Sequence, residues 1–82
     1  MPTKDVESYT ERERQAMKRF GASVRCQREK VGLSQEKLAE LANVHRTYIS
    51  GMERGLQNIS LLTMIKLAKA LSVELDKLLS DI

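Results

Sequence analysis

The sequence predicts a small all-α domain built from five helices. Apolar residues recur at intervals of three and four along most of the chain, helix-capping residues stand before these stretches, and no segment alternates as a β-strand does. The 82 residues suffice for one domain and not for two. Because a chain of this size buries only about 60% of its unfolded surface, association with a second copy would add stability.

The composition, with 41% hydrophobic and 30% charged residues, is typical of a globular protein in water. A net charge of +3 favours a polyanionic partner without identifying it. We expect no membrane segment, because no apolar run approaches the ~20 residues of a spanning helix. The N-terminus lacks the apolar core of a signal peptide, and the single cysteine, Cys26, fits a reducing cytoplasm. One cysteine and one histidine cannot form a structural zinc site, and no cofactor is expected.

Residues 1–9 are predicted to be a flexible tail, and residues 10–82 a single domain. Thr10 and Glu13 have the spacing of a capping box, in which each side chain binds the backbone N–H of the other residue. Helix one then runs to about Lys30, and its apolar stripe consists of Met17, Phe20, Val24 and Val31.

Two short helices joined by a tight turn follow. Ser34 is a good N-cap for helix two, which is predicted over residues 34–42 and has Leu38, Leu41 and Ala42 on one face. Asn43 tolerates the left-handed backbone that a sharp turn needs. Small Ala39, one turn earlier, allows the next helix, residues 45–54, to approach closely.

The start of helix three carries polar side chains with almost nothing to bury. These side chains are Arg46, Thr47, Tyr48 and Ser50. A helix that keeps such donors exposed at its N-terminal end is suited to contact a polar partner.

Helix four begins after its cap, Ser60, and runs to about Leu71 with two apolar stripes. The first consists of Leu61, Met64, Ala68 and Leu71; the second consists of Leu62 and Ile65. A helix that is apolar on two sides is buried on two sides, so a partner chain is expected to cover the second stripe. The predicted dimer interface is Leu62, Ile65, Leu75, Leu78 and Leu79. The alternative is that helix five, near residues 74–79, covers Leu62 and Ile65 within one chain.

From about Phe20 to Leu79 the chain resembles the Cro/phage-repressor (XRE) helix-turn-helix family. The matching segments are LSQEKLAELA, then Asn43 and a hydrophobe, then HRTYISGMERG, and finally LAKALSVELDKLL. The resemblance implies a five-helix lambda-repressor-like DNA-binding domain. The combination RTYISGMERG…NIS is similar, more narrowly, to the controller proteins of restriction–modification systems. Asn43 departs from the family pattern, which has Gly in the turn.

The resemblance also assigns roles to residues at matching positions. It implies contacts with base edges from Arg46, Thr47 and Tyr48, and contacts with DNA phosphates from Gln35, Ser50, Arg54 and Asn58. It implies an ion pair between Arg28 and Glu53, and Gln35 as a brace for the recognition helix. Gly51 is unusual inside such a helix, where it costs roughly 1 kcal/mol relative to Ala, and close approach of DNA would explain it.

The function implied is a dimeric, sequence-specific regulator of transcription on a near-palindromic operator, controlling its own operon. Its partners would be double-stranded DNA and a second copy of the chain, with RNA polymerase occluded or contacted at the promoter. An antitoxin-type module that also binds a protein, through residues 1–16, stays open as the alternative. An enzyme is not expected, because the sequence has no nucleophile–base pair, metal cluster or phosphate-binding glycine loop.

Overall fold

Five helices form the structure, a computed structural model that describes residues 8–82. Residues 1–7 of the predicted tail lie outside the described residues. The helices, in chain order, are α1 (Glu11–Lys30), α2 (Gln35–Ala42), α3 (Arg46–Glu53), α4 (Leu61–Leu71) and α5 (Leu75–Leu79). The described residues contain no strand, and none of their helices is long and apolar enough to cross a membrane. The predicted five-helix fold is confirmed.

The predicted caps start three of these helices. The Thr10 backbone N–H donates to the Glu13 carboxylate at 2.8 Å, and the Glu13 N–H donates to the Thr10 hydroxyl at 3.1 Å. The hydroxyls of Ser34 and Ser60 each accept a hydrogen bond from the backbone N–H three residues on, at 2.9 and 3.2 Å. Each of these bonds satisfies an amide that the first helical turn leaves free.

The core lies between all five helices: α2 packs against α3 and α4, and α1 packs against α3, α4 and α5. Its buried apolar side chains are Phe20, Val24, Leu38, Ala39, Ala42, Ile49, Met52, Leu67, Ala68, Leu71 and Leu78. Burial and close packing of these apolar side chains provide most of the free energy that stabilises the domain.

Three residues of the predicted stripes are exposed instead of buried in this core. Val31 caps the end of α1 instead of continuing its apolar face, and it is exposed. Leu41 and Leu61 also lie largely in solvent, so their assignment to core faces is wrong. In α4 the buried face is centred on Leu67 and Leu71, one turn apart, and Leu61 lies at its edge.

At Gly21, the backbone of α1 lies close to the backbone of α3. A Cβ atom on Gly21 would overlap the carbonyl oxygen of Met52 and lie 3.0 Å from the Cα of Glu53. Both neighbours are backbone atoms of α3, so the two helices would have to move apart to accept a side chain.

We therefore expect Gly21→Ala to lower the free energy of unfolding by about 1–3 kcal/mol, the usual result of overpacking. The sign is informative, because Gly→Ala inside a helix ordinarily stabilises it by about 1 kcal/mol. Urea unfolding followed by circular dichroism measures the change. Ala22→Gly, at the exposed neighbouring position, reports helix propensity alone. An increase in stability for Gly21→Ala would contradict the close crossing.

Candidate nucleic-acid interface

The turn between α2 and α3 has the left-handed residue that the sequence predicts. Asn43 has φ 56° and ψ 49°, and its backbone N–H donates to the Glu40 carbonyl at 3.2 Å. The Val44 N–H then donates to the Ala39 carbonyl at 2.9 Å, which closes the end of α2. Ala39 itself is buried, as expected for a small residue between two close helices. Asn therefore performs here the role that Gly has in the family pattern.

A buried carboxylate, that of Glu53, holds the end of α3 against α1 and α2. Arg28 of α1 binds it with two parallel hydrogen bonds, from Nε at 2.8 Å and Nη2 at 3.0 Å. The third Arg28 nitrogen, Nη1, donates to the Leu33 carbonyl at 2.9 Å. The side chains of Glu53 and Arg28 are only 3% and 12% exposed. The predicted ion pair is confirmed.

This pair fixes the charge of the arginine. Its hydrogen bond with Glu53 raises the pKa of Arg28 above the ordinary arginine value, although burial acts in the opposite direction. The stabilisation by this cation would be lost only as the pH rises through the raised pKa, far above neutrality. Arg28 therefore stays protonated at neutral pH, and the ion pair that positions α3 is kept.

Gln35, at the start of α2, braces α3 as predicted. Its Nε2 donates to Glu53 Oε1 at 3.1 Å, so the same oxygen accepts hydrogen bonds from Arg28 and Gln35. The side chain is only partly buried. Contact of Gln35 with a phosphate stays a prediction, and one of its amide hydrogens is already committed to the brace.

The residues predicted to contact bases lie together at the start of α3. Arg46 and Thr47 are exposed, and neither side chain forms a hydrogen bond or ion pair within residues 8–82. Tyr48 is half-buried and packs against the edge of the core, which leaves only part of its ring available. His45 occupies the N-cap position, but its side chain makes no capping hydrogen bond.

The residues predicted to contact phosphates are less closely grouped. Arg54 is exposed at the end of α3, where its Nε donates to the Ser50 carbonyl at 3.4 Å. Ser50 is half-buried, and Asn58 is exposed in the loop between α3 and α4. Ser50 lies on α3 and Arg54 at its end, whereas Gln35 belongs to α2 and Asn58 to the following loop. Their phosphate contacts stay predictions.

Gly51 has a neighbour that the sequence analysis missed. Its Cβ would lie 3.2 Å from Nε2 and 3.4 Å from Cγ of Gln57, so the Gln57 side chain occupies the space beside this glycine. Close approach of DNA is therefore not needed to explain Gly51. A glycine in the middle of a helix is the signal that could have pointed to such a neighbour.

The predicted dimer interface is only partly on the surface. Leu62 is 71% and Ile65 47% exposed, so α5 does not cover them within the chain, and the one-chain alternative is wrong. Leu78 is fully buried in the core of its own chain, so the prediction that it faces a partner is also wrong. Leu75 and Leu79 are half-buried against the core.

Potential metal ligands and the single cysteine of the described residues form no site of their own. Within residues 8–82, no three His, Cys, Asp or Glu side chains converge as a metal site requires. Cys26 is exposed and forms no disulfide.

Comparison with known proteins places this geometry in context. Residues 25–78 match a family model described as Helix-turn-helix. The chain is 50% identical over 58 residues to the control protein C.SmaI of Serratia marcescens, covering 71% of this chain and 69% of that protein. It is 52% identical over 56 residues to the control protein C.BamHI of Bacillus amyloliquefaciens, covering 67% and 69%.

Solved structures agree with these sequence matches. The restriction–modification controller protein C.AhdI from Aeromonas hydrophila superposes with a TM-score of 0.74 at 45% identity, over 76% of this chain and 94% of that one. The clp gene regulator ClgR from C. glutamicum superposes with a TM-score of 0.77 at 27% identity, over 80% and 86%.

Proposed function

Because the chain belongs to the XRE-type helix-turn-helix family of DNA-binding regulators, with restriction–modification controller proteins among its relatives, we propose that it controls transcription of its own operon in a restriction–modification system. The observation that carries this proposal is the uncommitted polar start of α3. Arg46 and Thr47 are exposed there without partners in residues 8–82, while Glu53 at the other end is anchored in the interior. A rigid helix with free donors at its N-terminal end is suited to read DNA.

In this proposal α3 enters the major groove with its N-terminal residues at the base edges. Arg46 reads guanine, because its guanidinium can donate two parallel hydrogen bonds to O6 and N7. Thr47 contacts an adjacent base. Tyr48, which is half-buried, uses only its outer edge.

Phosphate contacts set the position of the domain on the duplex without reading its sequence. We assign them to Gln35, Ser50, Arg54 and Asn58. The net charge of +3 favours this association and makes it sensitive to salt.

The regulator acts as a homodimer in the cytoplasm, with each recognition helix on one half of a near-palindromic operator. Half-sites one helical turn apart, about 34 Å, would be read by two copies related by a two-fold axis. The exposed α4 residues Leu62 and Ile65 are the proposed contact between the copies. Bound beside its promoter, the dimer occludes RNA polymerase or recruits it, according to the position of the operator.

A protein-neutralising antitoxin has no comparable support. Relatives described as control proteins account for the sequence matches in the helix-turn-helix region. The segment proposed to bind a toxin begins with residues 1–7, which lie outside the described residues.

The test is the affinity of Arg46→Ala for DNA from upstream of its own gene, compared with a scrambled duplex, at low and high salt. We expect the wild type to prefer the upstream duplex by ~10³ or more. Arg46→Ala should lose about 1–3 kcal/mol of this preference per half-site, because the guanine contact is removed. Fluorescence anisotropy measures both affinities.

Arg12→Ala, which removes the same charge from an exposed position in the first turn of α1, is the control. It should change both affinities slightly and equally. Unchanged base preference in Arg46→Ala would refute the assignment of α3, and equal affinity of the wild type for both duplexes would refute the proposed operator.

A further inference from the structure

We propose that Gln57 is an additional base-reading residue, supplied to the recognition helix by the loop after it, and that its target is an adenine. This inference rests on the proposed function. It adds to the recognition surface a side chain from outside α3, which the sequence analysis did not include among the DNA contacts.

Gly51 shares a face of α3 with a residue proposed to read bases. Gly51 lies four residues after Thr47, so the two residues are neighbours on one face of the helix. Thr47 is exposed, whereas Gly51 is buried. The Gln57 side chain lies beside Gly51, with Cγ 3.4 Å and Nε2 3.2 Å from the position of a Cβ. Gln57 therefore extends the face that Thr47 begins.

The backbone holds Gln57 in this place. After α3 the chain reverses, with the Gly55 N–H donating to the Met52 carbonyl at 2.9 Å. The Leu56 N–H then donates to the Gly51 carbonyl, also at 2.9 Å. These two bonds fix the residue immediately before Gln57 against α3, so little conformational freedom would be lost when its side chain binds.

The carboxamide of Gln57 is free to bind. It forms no hydrogen bond within residues 8–82, and the residue is only partly buried. Gln35 is a useful contrast, because its carboxamide is engaged by Glu53. A glutamine side chain that is held by packing and keeps both donor and acceptor can bind adenine at N6 and N7 together.

The experiment uses the full chain and a set of operator duplexes in which each base pair of a half-site is replaced in turn. The main variant is Gln57→Met, which keeps a flexible side chain over Gly51 and removes the amide. We expect the wild type to prefer A·T at one position by about 5- to 150-fold, the range for a bidentate contact. Gln57→Met should lose this preference, with all other positions and the urea midpoint unchanged.

Gly51→Ala provides a second, independent variant. Its methyl group would crowd Gln57 at 3.2 Å, so it should weaken the preference at the same base pair while leaving the Gln57 amide in place. Asn58→Ala is the matched control from the same loop. As a phosphate contact, Asn58 should affect all duplexes equally.

The outcomes separate this inference from the function on which it rests. If the wild type prefers no duplex, both fail. If the wild type reads its operator through Arg46 and Gln57→Met leaves every base preference intact, the inference about Gln57 alone is wrong. A uniform loss for Gln57→Met across all duplexes would likewise overturn it, since that result indicates a phosphate contact.

Discussion

Replacement of Glu53 by alanine is expected to lower the free energy of unfolding by about 3–5 kcal/mol, the usual result when one partner of a buried ion pair is removed. Arg28, only 12% exposed, would keep its charge and retain only the Leu33 carbonyl as partner. The donor of Gln35 would also lose its acceptor. Since domains of this kind have a total stability of about 5–15 kcal/mol, this loss would remove at least about a fifth of the stability, and nearly all of it at the lower end of that range.

Urea unfolding followed by circular dichroism measures this loss, with Glu29→Ala as the control. Glu29 forms an exposed ion pair with Arg25 at 3.4 Å, so its removal should change stability by less than about 1 kcal/mol. Replacing Arg28 and Glu53 together by methionine should be less harmful than Glu53→Ala, because no buried charge is left. Equal effects of Glu53→Ala and Glu29→Ala would contradict the central role of this carboxylate.

The parts of the fold that depend on neighbouring residues could be predicted from the sequence. Capping at Thr10, Ser34 and Ser60 depends on a side chain and an amide three residues away. The turn at Asn43 depends on the tolerance of a single residue for a left-handed backbone. These local rules placed the helices correctly.

Which apolar face of a helix is buried in the core could not be predicted as well. Periodicity shows which residues share a helix face, but it does not show which apolar face turns inward when a helix has two. In α4, Leu67 is buried in the core and Leu61 is exposed. In α5, Leu78 is completely buried, because this short helix closes the core. Both outcomes depend on the packing of other helices.

The candidate site likewise has some features that the sequence predicts and one that it does not. Exposure of Arg46 and Thr47 follows from polar residues at a helix start, and the family resemblance pointed to the Arg28–Glu53 pair. The contact of Gln57 with Gly51 required the path of the loop, which no local pattern shows. An interior glycine indicated only that something lies close by.

The exposed face of α4 carries several apolar side chains. Of the seven exposed large apolar residues within residues 8–82, three lie within one and a half turns of this helix: Leu61, Leu62 and Ile65. Lys66 and Lys69 are also exposed on α4, and their aliphatic stems can cover the rim of a contact. In the proposed dimer, this face meets its own copy across a two-fold axis.

We expect the double variant Leu62→Gln/Ile65→Gln to be a monomer by sedimentation velocity, because the apolar centre of the contact is removed. Gln has a helix propensity close to that of Leu. It adds no charge, so the electrostatic attraction between the domain and DNA phosphates is unchanged. A monomer reads one half-site, and its specificity ratio should fall to about the square root of the dimer's. For a dimer ratio of about 10³–10⁷, that is a loss of about 30- to 3,000-fold.

Leu41→Gln tests whether any exposed leucine matters, since Leu41 is exposed on α2 and not on α4. It should remain a dimer. If the double variant also remains a dimer, the contact lies elsewhere on the chain. If the wild type is already a monomer and binds both half-sites independently, the two recognition helices are not coupled, and the preference for a near-palindrome would depend only on two separate binding events.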